Sequence, residues 1–399
     1  MEFMASKNVK YFLDKIFFIY LVAFPFGQLF KLYLPLNSHF VPLLLVDVLT
    51  VFFIPFFISS LKQIGKISKA FLYFILTGLF SLVLYSHFDV EAITAPSLYL
   101  LRLLGILSLY FYVSGRFVKP QQKEILIKAL SLVGVVTAVS AWFGYFAFPD
   151  FKAFEVWGWD DHLYRLIGTF LDPGFTGIIL VFGFLSAYFV YLSKKDKIYF
   201  YFAAFIFISI LFTYSRSSYL ALIFSFPVLL RRSKTGFKKT LALFCIIFAV
   251  GIYLLPRPYG EGVKLTRVSS IEARLLNYRQ TFEIFKSSPV FGVGYNNICN
   301  VRVVLHRDDP SSHSCKGADS SILFLLATTG IVGFTFFVYF VRRVLKKAHG
   351  HHAKPLLISS LVALFVHSLF VNSLVYPWVM GWVAILIPSD LTQENAPLA

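Results

Sequence analysis

Apolar runs of roughly 15 to 24 residues, separated by short polar segments, recur along the whole chain. Each run is close to the length at which a helix crosses about 30 Å of hydrocarbon. In lipid every backbone amide needs a partner within the protein, so such runs predict helices. The pattern predicts an all-α, polytopic membrane helical bundle. Its predicted transmembrane helices, about twelve in number, cover residues 12–30, 41–60, 70–86, 96–114, 125–148, 174–192, 198–213, 217–230, 241–255, 320–341, 355–372 and 374–388.

Two longer polar segments interrupt this pattern: residues 149–173, acidic and rich in Trp and Asp, and residues 256–319, which are basic. The positive-inside rule applies weakly to long loops, so a basic loop is compatible with the outer side, and an anionic partner there is its simplest explanation. The predicted organisation follows from these segments. Helices 1 to 9 occupy residues 1–255, a large extracytoplasmic loop residues 256–319, helices 10 to 12 residues 320–388, and a cytoplasmic tail residues 389–399.

The large loop itself contains a predicted amphipathic helix. Ser269 and Glu272 have the spacing of a capping box, which marks a helix start. We expect the apolar stripe of this helix to rest on the membrane domain or at the membrane interface, with Arg274 and Arg279 pointing in different directions. The stripe consists of Ile271, Leu275, Tyr278, Phe282 and Phe285.

The composition agrees with lipid as the main solvent, because 58% of the residues are hydrophobic and only 14% are charged. A net charge of +17 would point to nucleic acid in a soluble protein. Here the basic residues gather in alternate loops, which is the positive-inside signal, so we predict cytoplasmic termini and no nucleic-acid binding. The basic clusters lie at residues 7–15, 62–69, 116–123, 194–197, 231–239 and 342–354.

Three cysteines are present. Cys299 and Cys315 share the large loop, where an oxidising compartment would permit a disulfide that closes a short ring; two free thiols are the alternative. Cys245 falls within a predicted helix, where we expect a small packing residue.

Few charged residues fall at membrane depth, and such residues are expensive there. Asp47 and Arg102 could form an ion pair that joins two helices, or could contact a substrate. Arg216 lies in a polar island, Thr213–Ser218, at the outer junction of two apolar runs. Its guanidinium could bind phosphate oxygens, with the neighbouring hydroxyls as further donors, or could be a snorkelling interfacial arginine.

Other candidates precede predicted helices. Asp172, followed by Pro173, is expected to cap a helix, and Arg165 is either an anion ligand or a surface charge. Asp319 or His313 could act as a base toward a sugar hydroxyl; an N-cap for Asp319 and a solvated loop position for His313 are the alternatives. Phosphate-binding loops, zinc-spaced His/Cys sets, nucleophile elbows and dinucleotide fingerprints are absent from the sequence, so soluble-enzyme chemistry has no support.

Together these segments resemble the O-antigen ligase and O-antigen polymerase superfamily of bacterial envelope glycosyltransferases. The ordered segments that carry the resemblance are Arg165–Pro173, Tyr214–Ser218, Arg274 and Arg279 with Ser288–Gly294, Asp319–Leu323 with Thr329–Gly333, and Val366–Phe370 with Tyr376–Pro377. The chain departs from the ligases at one position. Asp319-Ser320 stands where ligases typically have His-Asn, the His being their proposed acceptor-activating residue, and His313 is six residues too early to align. This departure favours polymerase-like enzymes.

The resemblance implies a type C glycosyltransferase fold, whose outer loop covers a lateral cavity open to the outer leaflet. It implies that a glycan linked to undecaprenyl diphosphate is transferred, with inversion, to an acceptor sugar hydroxyl on a glycan or lipid-linked acceptor. Arg216, Arg274, Arg279 and Arg165 are the expected diphosphate ligands and Asp319, or His313, the base. No metal or other cofactor is expected, because arginines can neutralise the diphosphate.

The expected location is the bacterial inner membrane, with the active site facing the periplasm or the cell exterior. Two other hypotheses concern different classes of protein. A transporter or flippase for a lipid-linked or anionic polysaccharide would line a path across both membrane faces with cations and would show two related halves. An assembly scaffold would tolerate replacement of the outer arginines.

Overall fold

The computed structural model describes residues 7–36, 39–59, 61, 65–86, 90–149, 163–231, 236–258, 261–309, 315, 317–347 and 353–390. Helices dominate these residues, which confirms the predicted all-α bundle. The α-helices are α1 (Lys7–Ala23), α2 (Leu45–Val51), α3 (Ile54–Ser59), α4 (Lys66–Ser86), α5 (Val90–Arg116), α6 (Pro120–Ala147), α7 (Pro173–Lys194), α8 (Lys197–Phe212), α9 (Arg216–Leu230), α10 (Phe237–Leu254), α11 (Ser269–Ser287), α12 (Ile298–His306), α13 (Ser321–Lys347), α14 (Lys354–Ser368) and α15 (Pro377–Asp390). Short 3-10 helices cover Phe24–Leu29, Gly168–Phe170, Glu261–Val263 and Ser373–Val375.

The chain is a multi-pass membrane protein by the length and composition of its helices. Within the described residues, 7 helices are long and apolar enough to cross a bilayer: α1 with the following 3-10 helix, α4, α5, α6, α7, α10 and α13. Shorter apolar helices occupy Leu45–Ser59, α8, α9, α14 and α15. Each predicted span therefore coincides with an apolar helical segment, while a count above 7 stays a prediction.

One predicted helix is wrong in its first part. Residues expected to begin a continuous helix at 41–60 instead form the second strand of an antiparallel hairpin, β1 (Lys31–Leu36) with β2 (His39–Leu44), followed by the separate helices α2 and α3. Pro35 and Pro42 lie within these strands. The backbone of residues 41–44 is instead paired with β1, and the helix begins at Leu45.

Two apolar cores hold the described residues together. The larger core surrounds α7, which is buried along most of its length and packs against α6, α8, α9 and α14. At the α6–α7 crossing, a Cβ on Gly134 would lie 2.6 Å from the Gly183 Cα atom, so only glycine allows this approach. The smaller core joins α4, α5 and α13 to Ile284, Tyr295 and Val301 of the segment between α10 and α13. That segment is thereby anchored on the bundle.

The predicted amphipathic helix is present as α11, but a different face packs against the protein. Val268 occupies the N-cap, so α11 begins one residue before the position that the predicted capping box requires. The buried residues are Asn277, Thr281 and Ile284, which follow one another at helical spacing. Three members of the expected stripe are exposed on the protein surface, Ile271 at 45%, Leu275 at 60% and Phe282 at 44%, which is compatible with the membrane interface, while Phe285 packs against the smaller core.

The chain that follows α11 pairs with a break in α13. Gly330 interrupts α13 with a φ of +63°, and the backbone amides of Val293 and Ile331 donate to the carbonyl oxygens of Ala327 and Pro289, both at 2.9 Å. A Cβ on Gly330 would collide with the carbonyl oxygen of Val290. We call these two paired stretches, Pro289–Gly294 and Ala327–Val332, the glycine dock. It holds the C-terminal end of α11 against α13.

Candidate active site

Arg216 is the first residue of α9, which is capped by the Ser215 side chain. The Arg216 guanidinium does not extend away from the protein. Its Nη1 atom donates to the carbonyl oxygens of Leu265 and Arg267 at 3.3 and 3.2 Å, and its Nη2 atom donates to Ser270 Oγ at 2.5 Å. Arg216 therefore joins the start of α9 to the chain that enters α11.

Arg165 precedes α7 and reaches the end of α8. Its Nε and Nη2 atoms donate to the carbonyl oxygens of Thr213 and Tyr214 at 3.1 and 3.4 Å, where the last carbonyls of a helix attract a cation. Burial lowers the pKa of Arg165, the nearby charge of Arg267 lowers it further, and Asp172 opposes these effects. The guanidinium pKa is high enough that Arg165 keeps its charge at neutral pH.

Four arginines from separate stretches of the chain lie close together, and we call Arg165, Arg216, Arg267 and Arg274 the arginine cluster. Arg274 acts electrostatically on both Arg165 and Arg216, and the backbone of Arg267 accepts a hydrogen bond from Arg216. Within the described residues Arg274 itself makes no hydrogen bond and no ion pair. The cluster therefore concentrates positive charge, with a guanidinium open to an anionic ligand.

The carboxylate of Asp172 acts on one member of this cluster, because its negative charge raises the pKa of Arg165. Its carboxylate accepts a hydrogen bond from the Phe175 amide at 2.7 Å and so caps α7, as predicted. The same carboxylate therefore serves the helix cap and acts on Arg165.

Arg279 lies elsewhere on α11. Its side chain is 80% exposed and forms an i,i+4 ion pair with Glu283 at 3.4 Å. As expected from their spacing, Arg274 and Arg279 occupy different faces of the helix. The structure does not bring Arg279 into the arginine cluster.

Asp319 lies two residues before the start of α13. Ser320, directly before the helix, accepts a hydrogen bond at its Oγ from the Leu323 amide at 3.5 Å, as an N-cap side chain does. The backbone amide of Asp319 donates to Asn277 Oδ1 at 2.9 Å. Both Asp319 and Arg274 act electrostatically on Tyr278. The other candidate base, His313, lies outside the described residues.

His367 is a functional-site candidate that spacing in the sequence did not single out. It is completely buried at the end of α14. Its Nδ1 atom lies 2.6 Å from Ser373 Oγ, and its Nε2 atom lies 3.2 and 3.3 Å from the hydroxyls of Ser217 and Ser218. His367 thus fixes the start of α9, which carries Arg216, against the end of α14. Its place in the Val366–Phe370 motif was the available signal.

Asp47 and Arg102 form the ion pair that the sequence allowed. Arg102 donates from Nε to Asp47 Oδ1 at 2.7 Å and from Nη2 to Oδ2 at 2.6 Å, with both side chains largely buried. A further bond from Arg102 to the Pro42 carbonyl fastens β2 to α5. Since both carboxylate oxygens are engaged, the pair is a helix-joining contact.

The cysteines divide into a pair and a single thiol. Cys299 and Cys315 form the predicted disulfide. Cys245 is exposed on α10, so its expected role as a packing residue is wrong. It lies on a helix of which only 11% of the apolar, membrane-spanning stretch is buried inside the protein.

Fold and site define a class of protein: a multi-pass helical membrane protein with a cation-rich site beside the long segment that precedes α13. Residues 200–338 match the family model described as O-antigen ligase, and no curated protein matches the chain. This match supports the O-antigen ligase and O-antigen polymerase superfamily that the motifs predicted. It also supports a glycosyltransferase-like enzyme with a ligase-like or polymerase-like function in envelope polysaccharide biosynthesis. Arg216, Arg274 and Asp319 fall within the matched residues.

Proposed function

We propose that this protein transfers a glycan from undecaprenyl diphosphate to a sugar hydroxyl of a second glycan, on the outer side of the bacterial inner membrane. The observation that carries the proposal is Arg274, which makes no hydrogen bond or ion pair among the described residues and lies near the charges of Arg165 and Arg216. A diphosphate is the anion that best matches several guanidinium groups, because each can fork onto two phosphate oxygens.

The arginines act on the leaving group. Arg274, which has no hydrogen bond or ion pair among the described residues, binds the diphosphate directly, while Arg216 and Arg165 add charge from positions fixed by backbone contacts. Negative charge grows on the diphosphate as its bond to the sugar breaks, and fixed positive charge stabilises that transition state most. This arrangement supplies the charge that a divalent cation would otherwise contribute, so the proposed transfer is metal-independent.

Asp319 acts as the base in this proposal. The acceptor hydroxyl oxygen attacks the anomeric carbon and its proton passes to the Asp319 carboxylate. The bond from carbon to the diphosphate oxygen breaks, and undecaprenyl diphosphate leaves with the electron pair. A single displacement of this kind inverts the anomeric carbon. His313 is the alternative base, and Arg279, exposed beside Glu283, takes no direct part in the proposed transfer.

A polymerase-like acceptor, itself a lipid-linked glycan, fits this chain better than a ligase acceptor. The reason is the departure at Asp319-Ser320, where ligases typically carry His-Asn. The acceptor is distinguished by its products, because a polymerase builds a ladder of lengths and a ligase adds one block to a separate molecule.

The test is glycan transfer in proteoliposomes containing an undecaprenyl-diphosphate-linked oligosaccharide, with the length of the products followed on a gel. The variant is Arg274→Ala, and the matched control is Lys286→Ala, which removes another cation from the same helix. We expect a ladder from the wild type and the control and its loss in the variant. Wild-type transfer by Arg274→Ala would contradict the mechanism, and the absence of transfer by the wild type, with movement of donor across the bilayer, would favour a flippase.

A further inference from the structure

We propose that Asn277 is a positioning residue that sets the distance between the Asp319 base and the Arg274 guanidinium; this inference rests on the proposed function. Asn277 is buried on the packed face of α11. Its side-chain oxygen Oδ1 accepts a hydrogen bond from the Asp319 backbone amide at 2.9 Å. The amide of Asn277 thus holds the backbone of the residue that receives the proton.

The same helix carries the phosphate contact. Arg274 and Asn277 are three residues apart, so their side chains are neighbours on α11. Tyr278, next to Asn277, donates from its hydroxyl to the Leu369 carbonyl at 2.7 Å and fastens this turn to the end of α14. The proposed diphosphate ligand, Arg274, and the residue that holds the base, Asn277, therefore lie within one turn of α11.

A buried arginine, Arg302, contacts the helix turn that contains Asn277. Arg302 on α12 is 1% exposed, and its Nη2 atom donates to Thr281 Oγ1 at 3.3 Å and to the Asn277 carbonyl at 3.5 Å. Burial lowers the pKa of Arg302, while the charges of Asp308 and Asp319 raise it. Arg302 thus contacts the backbone of Asn277 and attracts the Asp319 carboxylate.

The disulfide restrains the same stretch of chain. Cys299 lies in the first turn of α12 and is bonded to Cys315, four positions before Asp319. Asp319 is therefore held through Asn277 on α11 and through the chain that is tied to α12. A base that must lie within hydrogen-bond reach of an acceptor hydroxyl needs this restraint, since a displacement of about 1 Å can cost about 10²-fold in rate.

The predicted consequence separates the two kinetic constants. Replacing Asn277 removes the partner of the Asp319 amide and lets the base move, whereas the guanidinium groups that bind the donor remain. An interaction needed in the transition state but not for donor binding lowers kcat and leaves KM unchanged.

The experiment compares donor-dependent initial rates of transfer in proteoliposomes for Asn277→Ala, Asn277→Asp and Asn300→Ala. Asn277→Asp keeps an acceptor oxygen at the same place beside Arg302. Asn300→Ala is the control, because this amide on α12 contacts Asn297 and not Asp319. We expect Asn277→Ala to lower kcat about 10²-fold with the donor KM within about two-fold, Asn277→Asp to recover at least about ten-fold of that loss, and Asn300→Ala to match the wild type.

Two results would overturn the inference: wild-type kcat in Asn277→Ala, or a donor KM that rises as kcat falls, which would mean a general loss of structure. Asp319→Asn distinguishes this failure from failure of the mechanism. If Asp319→Asn abolishes transfer and Asn277→Ala does not reduce it, only the positioning role is wrong. If Asp319→Asn transfers at the wild-type rate, the base assignment and the inference fall together.

Discussion

Two sets of buried or partly buried charge differ in their balance. At Asp47 and Arg102 one carboxylate meets one guanidinium, and both oxygens are used. The arginine cluster brings four guanidinium groups together, and the carboxylate of Asp172, which caps α7, acts on one of them, Arg165. Burial is common to both sets, so burial alone does not identify a site. The arginine cluster differs in containing Arg274, which makes no hydrogen bond or ion pair among the described residues and is therefore open to a ligand.

The largest expected effect is on stability and comes from breaking the ion pair. Asp47→Ala leaves Arg102 as an unpaired charge, and such single removals cost about 3–5 kcal/mol in the free energy of unfolding. The double variant Asp47→Leu/Arg102→Leu should regain most of this loss. Unfolding in mixed detergent micelles measures both. A stable Asp47→Ala protein that fails in glycan transfer would show that this pair, too, contacts substrate.

Arg274→Ala should have the opposite signature. The rate of transfer should fall about 10²- to 10³-fold, equivalent to about 2.7–4 kcal/mol of transition-state stabilisation. The free energy of unfolding should stay equal or rise, because the variant removes repulsion between Arg274 and its neighbours Arg165 and Arg216. Rates and unfolding are measured on the same preparation. If Arg274→Ala lost stability as well as rate, Arg274 would have a structural role like that of the Asp47–Arg102 ion pair.

Gly330→Ala tests whether the glycine dock holds α11, the helix that carries Arg274 of the arginine cluster, in place. The positive φ and the collision with the Val290 carbonyl should lower the free energy of unfolding by about 1–3 kcal/mol and shift the end of α11. Gly144→Ala is the control, since nothing lies within 4 Å of a Cβ there. If Gly330→Ala unfolds like this control, the glycine dock does not hold α11 in place.

The smallest effect is expected for Arg279→Ala. This side chain is 80% exposed and its pair with Glu283 is solvated, so transfer and stability should stay within about two-fold of the wild type. The measurement is the same transfer assay. A loss as large as that of Arg274→Ala would extend the cation-rich site to the exposed face of α11.

The sequence predicted the helices because hydrophobic length is a local property. It also predicted α11 and the Cys299–Cys315 disulfide, whose residues share one segment. It misplaced the hairpin at residues 31–44, since strand pairing joins positions that no local period relates.

The face of α11 that packs on the protein could not be predicted from the sequence for a related reason. Asn277 and Thr281 are buried because they form hydrogen bonds with Asp319 and Arg302, residues from other segments. Similarly, the sequence identified Arg216 and Arg274 by type and motif, but not Arg267 or the contacts of His367. Those contacts join residues up to 150 positions apart, which spacing cannot predict.

The disulfide has a consequence for the order in which the protein is made. Its cysteines are 16 positions apart and both precede α13. At about 5–20 residues per second they follow one another through the ribosome within about one to three seconds. Closing this ring needs no contact with the last three helices, because both cysteines precede them. In a host deficient in thiol oxidation we expect a full-length chain that is inserted in the membrane but in which the base Asp319 is less firmly held.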